Sequence, residues 1–571
     1  MLGSYPKLKE VVRCLETWIA KAYPDFFGEA PTHPCHKLKP KKVIHDNLWG
    51  TRPFSWRELA IIDCPFFQRL RGIHQTGLAF HVYPSAHHTR FEHSLGVCTL
   101  ASNTFDAFRT NNDGELVDIA KALEPNTEAA ETIRRWREEL RLAALLHDTG
   151  HSLFSHTSEQ VYSQIDLLQE AATELSKFVG RKKGEGEVLS FCFSRTEGFA
   201  KLLQRSQNNV VKQGERPCAI DLDNVSLLIV GRSKHPFLQF MGDIISSDLD
   251  ADKLDYLLRD ASFAGLPLRY DLDRYLYTVR IAKDKLLDGE GYLQGLYASL
   301  GVNVERKSAT SSIPAPYYEA YRLRLPRQAM STVEQIVICK FMLFSYIYHH
   351  KKVRASEGLL ALLLNQALDD WRAAGENDEI LLEHFLGITD SALDGPVFLE
   401  HRNSSVVAYC NRIRYRLIPR EVCSFVAKGS SHAEGALVAN FISQLMDQDR
   451  RAEVIQKFEQ AMGAELLKLE PTLGKSPREI LLTAGVWLDV PKPPKFENIH
   501  LLIGDPDDAV SLAEVFPIEY WIQAYEAHRY RIRVFAFSEY FPQAKVAVRT
   551  AVEAVVGIHS KTYLDALLAE D

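Results

Sequence analysis

The sequence predicts a mainly α protein: a helical core with inserted loops and short strands, and a small C-terminal α/β or helical extension. Apolar residues recur at helical spacing in "RELAIIDCPFFQRLRGI", "ETIRRWREELRLAALLHD", "SSDLDADKLDYLLRDASF" and the long "STVEQIVICKFMLFSYIYHHKKVRASEGLLALLLNQALDDW". Between Leu286 and Pro326 the helical period is lost, and "GYLQGLYASLGVNVE" reads as short strand-like pieces of an inserted loop or hairpin. Near the end, "IHLLIG" and "RIRVFAFS" read as strands flanked by helices. At 571 residues, with 46% hydrophobic and 25% charged residues, the chain is an ordinary globular composition too long for one typical domain.

In order, residues 1–40 form a lead-in whose first stretch, "MLGSYPKLKEVVRCLETWIAKAYPDFF", reads as an amphipathic helix without a basic-apolar-small signal pattern. Residues 41–375 form the main helical domain. Within it, "GRKKGEGEVLS" reads as a mobile loop, and Ser331 with Glu334 as a capping box that opens the long helix. Residues 376–495 form a helical accessory region that includes the Pro-rich "VPKPPK", and 496–571 a small α/β unit. No apolar run reads as long enough to span a bilayer, so no membrane partner and a cytoplasmic location are expected. The net charge of −7 is small for this length and does not point to duplex DNA. Nine scattered cysteines without a C-x-x-C suggest neither a zinc ribbon nor a disulfide framework, and "HPCH" around Cys35 is a weak metal candidate.

The chemistry concentrates in "LAALLHDTGHSLFSHTSE", residues 142–159. Residues four apart share a helix face, so His147 and His151 point the same way if the helix runs on through Gly150. Asp148 lies roughly 100° round from His147, close enough for both to reach one ion at a helix end. Imidazole with carboxylate suits Mn, Fe, Zn or Ni. A lone His-Asp pair is more often a cap or a core hydrogen bond, and His45-Asp46 is a second copy here. The segment "SSDLDADKLDYLLRDASF" adds weight. Its polar stripe of Asp252, Asp255, Tyr256 and Arg259 uses Asp, a poor mid-helix residue, where a merely solvated face would use Lys and Glu. In "HHTRFEHSLGV", Arg90 and His93 share a face.

Taken in order, "RFEHSLG", "LHDTGHSLFSH" and "DADKLDY" closely resemble the HD superfamily of metal-dependent phosphohydrolases. The match is to the branch of deoxynucleoside triphosphate triphosphohydrolases, dGTPase-like enzymes that include the sterile-alpha-motif and HD-domain proteins of animals. Similarity covers roughly residues 40–270 and, more weakly, the helix from Ser331 to about Leu364. The resemblance makes 41–375 an HD phosphohydrolase domain. It implies a divalent ion held by His93, His147, Asp148 and Asp252, with Mg an option beside substrate phosphates. The implied reaction is hydrolysis at the α-phosphate, giving deoxynucleoside and triphosphate. It further implies that His151 is the catalytic acid or base, with His156 and Glu159 assisting, and that Arg90, Lys253 and Tyr256 contact phosphates. Lys340 and Lys351, three helical turns apart on nearly one face, are further phosphate contacts. Tyr348 packs on the deoxyribose, Asp260 bonds its 3′-hydroxyl and Gln75 contacts the base.

The same resemblance aligns Asp63, Gln68 and Arg71 with an allosteric nucleotide pocket, with His45 replacing the usual Asn, and such pockets require a homo-oligomer, dimer to hexamer. One departure stands out: a further histidine common in this branch is replaced by Gly186, before Glu187. Lowered deoxynucleotide pools, in housekeeping or antiviral defence, would follow from the activity. Two alternatives remain open, an HD phosphohydrolase acting on a nucleoside monophosphate, alarmone or oligonucleotide, and a non-catalytic nucleotide sensor with a protein partner at its C-terminal unit. Single-stranded nucleic acid is a lesser candidate partner. "RNSSVVAYCNRIRYRLIPR" mixes Arg412, Arg414 and Arg416 with Tyr409 and Tyr415, but its period-two alternation favours a plain strand with one wet face.

Overall fold

The computed structural model describes residues 2–29, 31, 41–211, 218–310, 313–426, 433–494, 500–502 and 509–568. Cys35 and its neighbours lie outside this set. The architecture is mainly helical, and one continuous cluster of buried apolar side chains runs from Leu8 to Leu564. The amphipathic lead-in is the helix Pro6–Ala22, which buries Leu8, Val11, Leu15 and Ile19 on one face.

Three helices frame the centre of the main helical domain. The first, Arg90–Asn111, begins where a capping box of Thr89 and Glu92 satisfies free N–H groups. The second, Ala129–Leu146, stops before His147 instead of running on through Gly150. Its last carbonyls are met by His147 Nδ1, 2.7 Å from Ala144 O, and by the Thr149 hydroxyl, 2.7 Å from Leu146 O. The third, Ala251–Phe263, is capped by Asp250, whose carboxylate accepts from the Lys253 N–H and so sets Asp252 in the first turn.

Several local expectations change. The supposed mobile loop contains the helix Glu185–Phe193, and Lys183 before it is buried against Glu187. "GYLQGLYAS" forms the helix Tyr292–Ser299, while the strands lie to either side of it. Ser331 does not cap: the long helix begins at Met330, after a turn at Arg327–Ala329. That helix is also broken. Met330–Leu343 passes into a wider π turn, Phe344–Tyr348, and a new helix starts at Lys351. The stretch Arg327–Tyr348 is long and apolar enough to cross a membrane, contrary to the sequence reading, but half of its apolar window is buried within the protein. "SSVVAYCNRIR" forms the helix Ser404–Arg414 where a strand was expected. Val406, Tyr409, Cys410 and Ile413, at helical spacing, are the buried residues, and the alternation of Arg412 to Leu417 covers only the end of the helix and the turn after it.

Among the described residues, three small sheets complete the fold. β1 (Lys41–Asp46) and β2 (Gly50–Ser55) form an antiparallel hairpin. β3 (Arg280–Leu287) and β4 (Tyr317–Pro326) pair antiparallel, and β4 is extended in parallel by β7 (His500–Leu502), itself paired with β8 (Ala509–Ser511). β9 (Ile532–Ala536) lies between β5 (Arg420–Phe425) and β6 (Trp487–Asp489). The expected strands at "IHLLIG" and "RIRVFAFS" are present, but the division at 495/496 cuts through this last sheet.

Candidate metal and phosphohydrolase centre

The three framing helices bring together all four expected ligands. His93 Nε2 lies 3.0 Å from an Asp252 oxygen and 3.5 Å from an Asp148 oxygen. His147 Nε2 lies 3.4 Å from Asp148 and 3.9 Å from Asp252. Both Nε2 atoms are buried and have no hydrogen-bond partner. Leaving two such nitrogens unmet in a protein interior is costly. Their other nitrogens explain the arrangement: His93 Nδ1 bonds Asp255 at 2.8 Å, and His147 Nδ1 donates to Ala144 O. Each ring's Nδ1 proton is thereby engaged, and Nε2 is the nitrogen turned toward the two carboxylates. Carboxylate-supported imidazole of this kind is the usual support of a metal-ligating histidine. The donor set fits a divalent cation, and ligand atoms of His93, His147 and Asp252 lie within 4.8 Å of one another.

Charge follows this geometry. Burial would lower the His93 pKa, but the Asp252 and Asp255 carboxylates on either side of the ring carry it up to about 10. Against the penalty of burial, Arg90 and the neighbouring histidines hold the Asp148 carboxyl well below its ordinary range. Gly96 makes the His93 support sterically feasible. A Cβ there would stand 2.0 Å from an Asp255 oxygen and 2.5 Å from the Arg259 guanidinium, so only glycine admits this helix contact.

A second cluster adjoins the first. His151 Nε2 lies 3.4 Å from Asp148, and its buried Nδ1 has no hydrogen-bond partner. Burial and the nearby Arg90 lower its pKa, favouring the neutral ring. His156 is exposed, and its Nδ1 bonds a Glu159 oxygen at 2.9 Å. The other Glu159 oxygen accepts from the Gly186 N–H at 3.0 Å. A Cβ at Gly186 would lie 3.1 Å from that oxygen and 3.2 Å from the His151 ring. Thus at the position of the departure, the Glu159 carboxylate is packed against the glycine backbone. Arg90 joins the two clusters: one nitrogen bonds Asp148, Nε donates to the Ser155 hydroxyl at 2.9 Å, and NH2 lies 3.4 Å from His156 Nε2.

The other expected residues divide. Tyr348 donates to Asp260, whose other oxygen meets His88 Nε2 at 2.8 Å. Gln75 sits beside this group, its N–H donating to His88 O at 3.0 Å. Lys253 Nζ is bound to Asp250 and to Ser247 O, at 2.8 and 2.7 Å. Tyr256 is half-buried, its hydroxyl pKa raised by burial and by Asp252 and Asp250. Lys340 is buried, and burial with Lys253 nearby lowers its pKa to about 8. Lys351 is exposed and opens a separate helix, so the continuous face expected for the two lysines is interrupted. Gln68 links Ile62 O to Arg71, which lies 3.5 Å over the Phe91 ring, while Asp63 ends the helix Trp56–Ile62. The basic tract is largely occupied within the chain. Arg412 pairs with Glu539, Arg414 with Asp394, and Arg416 donates to His81 O.

Sequence reasoning missed three groups. Asp255 appeared in the polar stripe without a role, although its spacing from Asp252 and Arg259 marked it. His88, in "HHTRFEH", carried no signal distinguishing it from its neighbour His87. Asp390 lies far along the chain, and nothing local marks it.

Residues 90–186 match the family model described as the HD domain. The chain therefore carries an HD domain. It is similar to an uncharacterised protein of Methanocaldococcus jannaschii, 28% identical over 358 residues, covering 62% of this chain and 56% of the relative. It is also similar to a deoxynucleoside triphosphate triphosphohydrolase homologue of Dictyostelium discoideum, 29% identical over 253 residues, covering 43% and 41%. The Bos taurus deoxynucleoside triphosphate triphosphohydrolase is 28% identical over 253 residues, covering 42% and 39%. The alignments thus span from about two-fifths to just over half of these relatives' lengths.

Proposed function

We propose that this protein is a divalent-metal-dependent dNTP triphosphohydrolase, dGTPase-like, that converts dNTP to deoxynucleoside and triphosphate. The observation that carries this reading is the pair of buried, unpartnered Nε2 atoms of His93 and His147 facing Asp148 and Asp252, beside the His151, His156 and Glu159 cluster. Mn, Fe, Zn or Ni suits the nitrogen and oxygen donors, with Mg accompanying the substrate phosphates. A bound divalent ion supplies Lewis-acid polarisation of the phosphate and lowers the pKa of water.

The chain's own groups supply the rest. Arg90 presents a cation between Asp148 and His156, where negative charge builds on phosphate oxygens. Neutral His151 is placed to exchange a proton with the reacting water or the departing 5′-oxygen, and His156, oriented through Nδ1 by Glu159 and beside Arg90, assists. Lys253, Tyr256, Lys340 and Lys351 assist with phosphates, and Gln75 faces the base. Asp260 and Tyr348 hold the sugar. The pair at Gln68 and Arg71, with Asp63, forms an effector contact in a homo-oligomer, and the C-terminal segment offers a surface for a partner protein. Anion-exchange separation of products, for each dNTP with Mn²⁺ or Mg²⁺, tests the reading: tripolyphosphate supports it. Orthophosphate or pyrophosphate supports a second reading, another HD phosphohydrolase activity, which the glycine at 186 favours because it alters the surroundings of His151.

Two further outcomes are expected. Lys340 loses its charge as pH rises through about 8, so kcat/KM should fall on the alkaline side with that midpoint. Lys340→Arg should move the limb upward in a pH–rate profile; an unmoved limb assigns it to another group. Tyr348→Ala removes a ring from beside Asp260 and should narrow the preference for deoxynucleotide over ribonucleotide by ~10-fold or more. Competition between dGTP and GTP reads this directly, and an unchanged ratio places the ring away from the 2′ carbon.

A further inference from the structure

The turn leading into His156 is strained. Phe154 and Ser155 are consecutive non-glycine residues with φ of 48° and 57°. Such conformations persist only where surrounding contacts enforce them, and they gather at functional sites. The enforcing contact comes from Asp390, in the turn Asp390–Asp394 of the 376–495 region. One of its oxygens accepts the Phe154 N–H at 2.6 Å, and the other accepts the His74 N–H at 2.8 Å and meets His74 Nδ1. Asp390 is 9% exposed, so little water competes for these bonds.

From this carboxylate an unbroken chain of contacts leads to the centre. The Ser155 hydroxyl donates to His74 O at 2.7 Å and accepts from Arg90 Nε, and Arg90 in turn binds Asp148. His74 also lies parallel to the Phe154 ring, with centroids 6.3 Å apart. Two strained residues, one remote carboxylate and the arginine at the centre therefore form one unit.

We infer that Asp390 is a positioning residue: it clamps the Phe154–Ser155 turn against His74 and so sets the places of Arg90 and His156 for reaction. Its hydrogen bonds go to His74 and Phe154 rather than to the expected ligands. The catalytic half is thus completed by a residue from the accessory region. The consequence for turnover rests on the proposed phosphohydrolase reading, whereas the clamp itself does not.

The experiment uses the full chain and two readouts. Hydrogen exchange followed by mass spectrometry should show ~10-fold or greater loss of protection in peptides covering residues 153–158 and 73–75 in Asp390→Ala, with residues 93–105 and 251–263 at wild-type rates. Steady-state kinetics on the dNTP that the wild type hydrolyses should show kcat reduced by ~10–100-fold with KM within ~3-fold, because geometry rather than binding is lost. Asp390→Asn, which keeps an acceptor for Phe154, should recover part of the rate. Ser155→Ala breaks the same chain elsewhere, so the double variant should be no slower than the slower single variant. Unchanged exchange at 153–158 overturns the clamp, whatever the activity. Loosened exchange with wild-type kcat overturns the positioning role. A wild type that hydrolyses no dNTP defeats the functional reading, while exchange still decides the clamp.

Discussion

Asp148→Ala should reduce turnover by at least ~10³-fold, a loss of about 4 kcal/mol of transition-state stabilisation, and should release most of the bound metal. No other side chain in the centre has as many partners. Asp148 lies 3.4 to 3.5 Å from the Nε2 atoms of His93, His147 and His151, and it anchors Arg90. Its removal takes away a ligand, the fixed position of a phosphate-facing cation and the carboxylate beside the candidate base. Elemental analysis of the purified variant and product separation by anion exchange give the two readings. Wild-type turnover in this variant would show that the chemistry takes place elsewhere.

Asp255→Ala should act on two quantities at once, although Asp255 is not an expected ligand. Its carboxylate holds His93 Nδ1 on one side and the buried Arg259 guanidinium on the other, and it also accepts from the Trp49 ring N–H. Breaking a buried ion pair by removing one partner costs about 3–5 kcal/mol. Arg259 keeps Asp46 at 3.0 Å, which places the expectation at about 3 kcal/mol, the low end of that range. Losing the support of a ligating imidazole should also weaken metal affinity by ~10–100-fold. Urea unfolding and competition with a chelator separate the two effects. Asp255→Asn retains an acceptor for His93 and should keep more of the metal affinity than of the stability. Equal retention of both would mean that the two effects share one cause.

The separate motifs were legible in the sequence because each sits at a helix end or on one helix face, and it was their resemblance to a known family, rather than spacing, that joined them into one centre. Arg90 with His93, His147 with Asp148, and Asp252 could each be placed this way. The support around them was not legible, because it is built from contacts distant in sequence. Asp255 meets His93 across 162 positions and Asp390 meets Phe154 across 236, distances over which periodicity carries no information. The fold shows the same division. Mainly α character followed from apolar spacing, whereas the break at His349 did not. There the ring is held by Tyr525 and Lys492 O, partners from beyond the main domain. The helix at 404–414 was misread because the alternation of Arg412, Arg414 and Arg416 with Ile413, Tyr415 and Leu417 masked the helical spacing of its buried residues.

The central place of β9 bears on the order in which the protein acquires its structure. β5 must wait for a strand more than a hundred positions later, with Phe425 paired to Ile532, and β6 depends on the same strand. Contacts so distant in sequence are slow to form, since the intervening chain must be ordered first. Until Ile532–Ala536 arrives, β5 and β6 are strand edges without their neighbour, the kind of surface that recruits other chains. The framing helices also wait for a distant partner, since His93 meets Asp255 across 162 positions, but a helix satisfies its own backbone and leaves no open strand edge meanwhile. The hazard during biogenesis therefore falls on the accessory region rather than on the centre, and a chaperone that engages this protein would find its hold at β5.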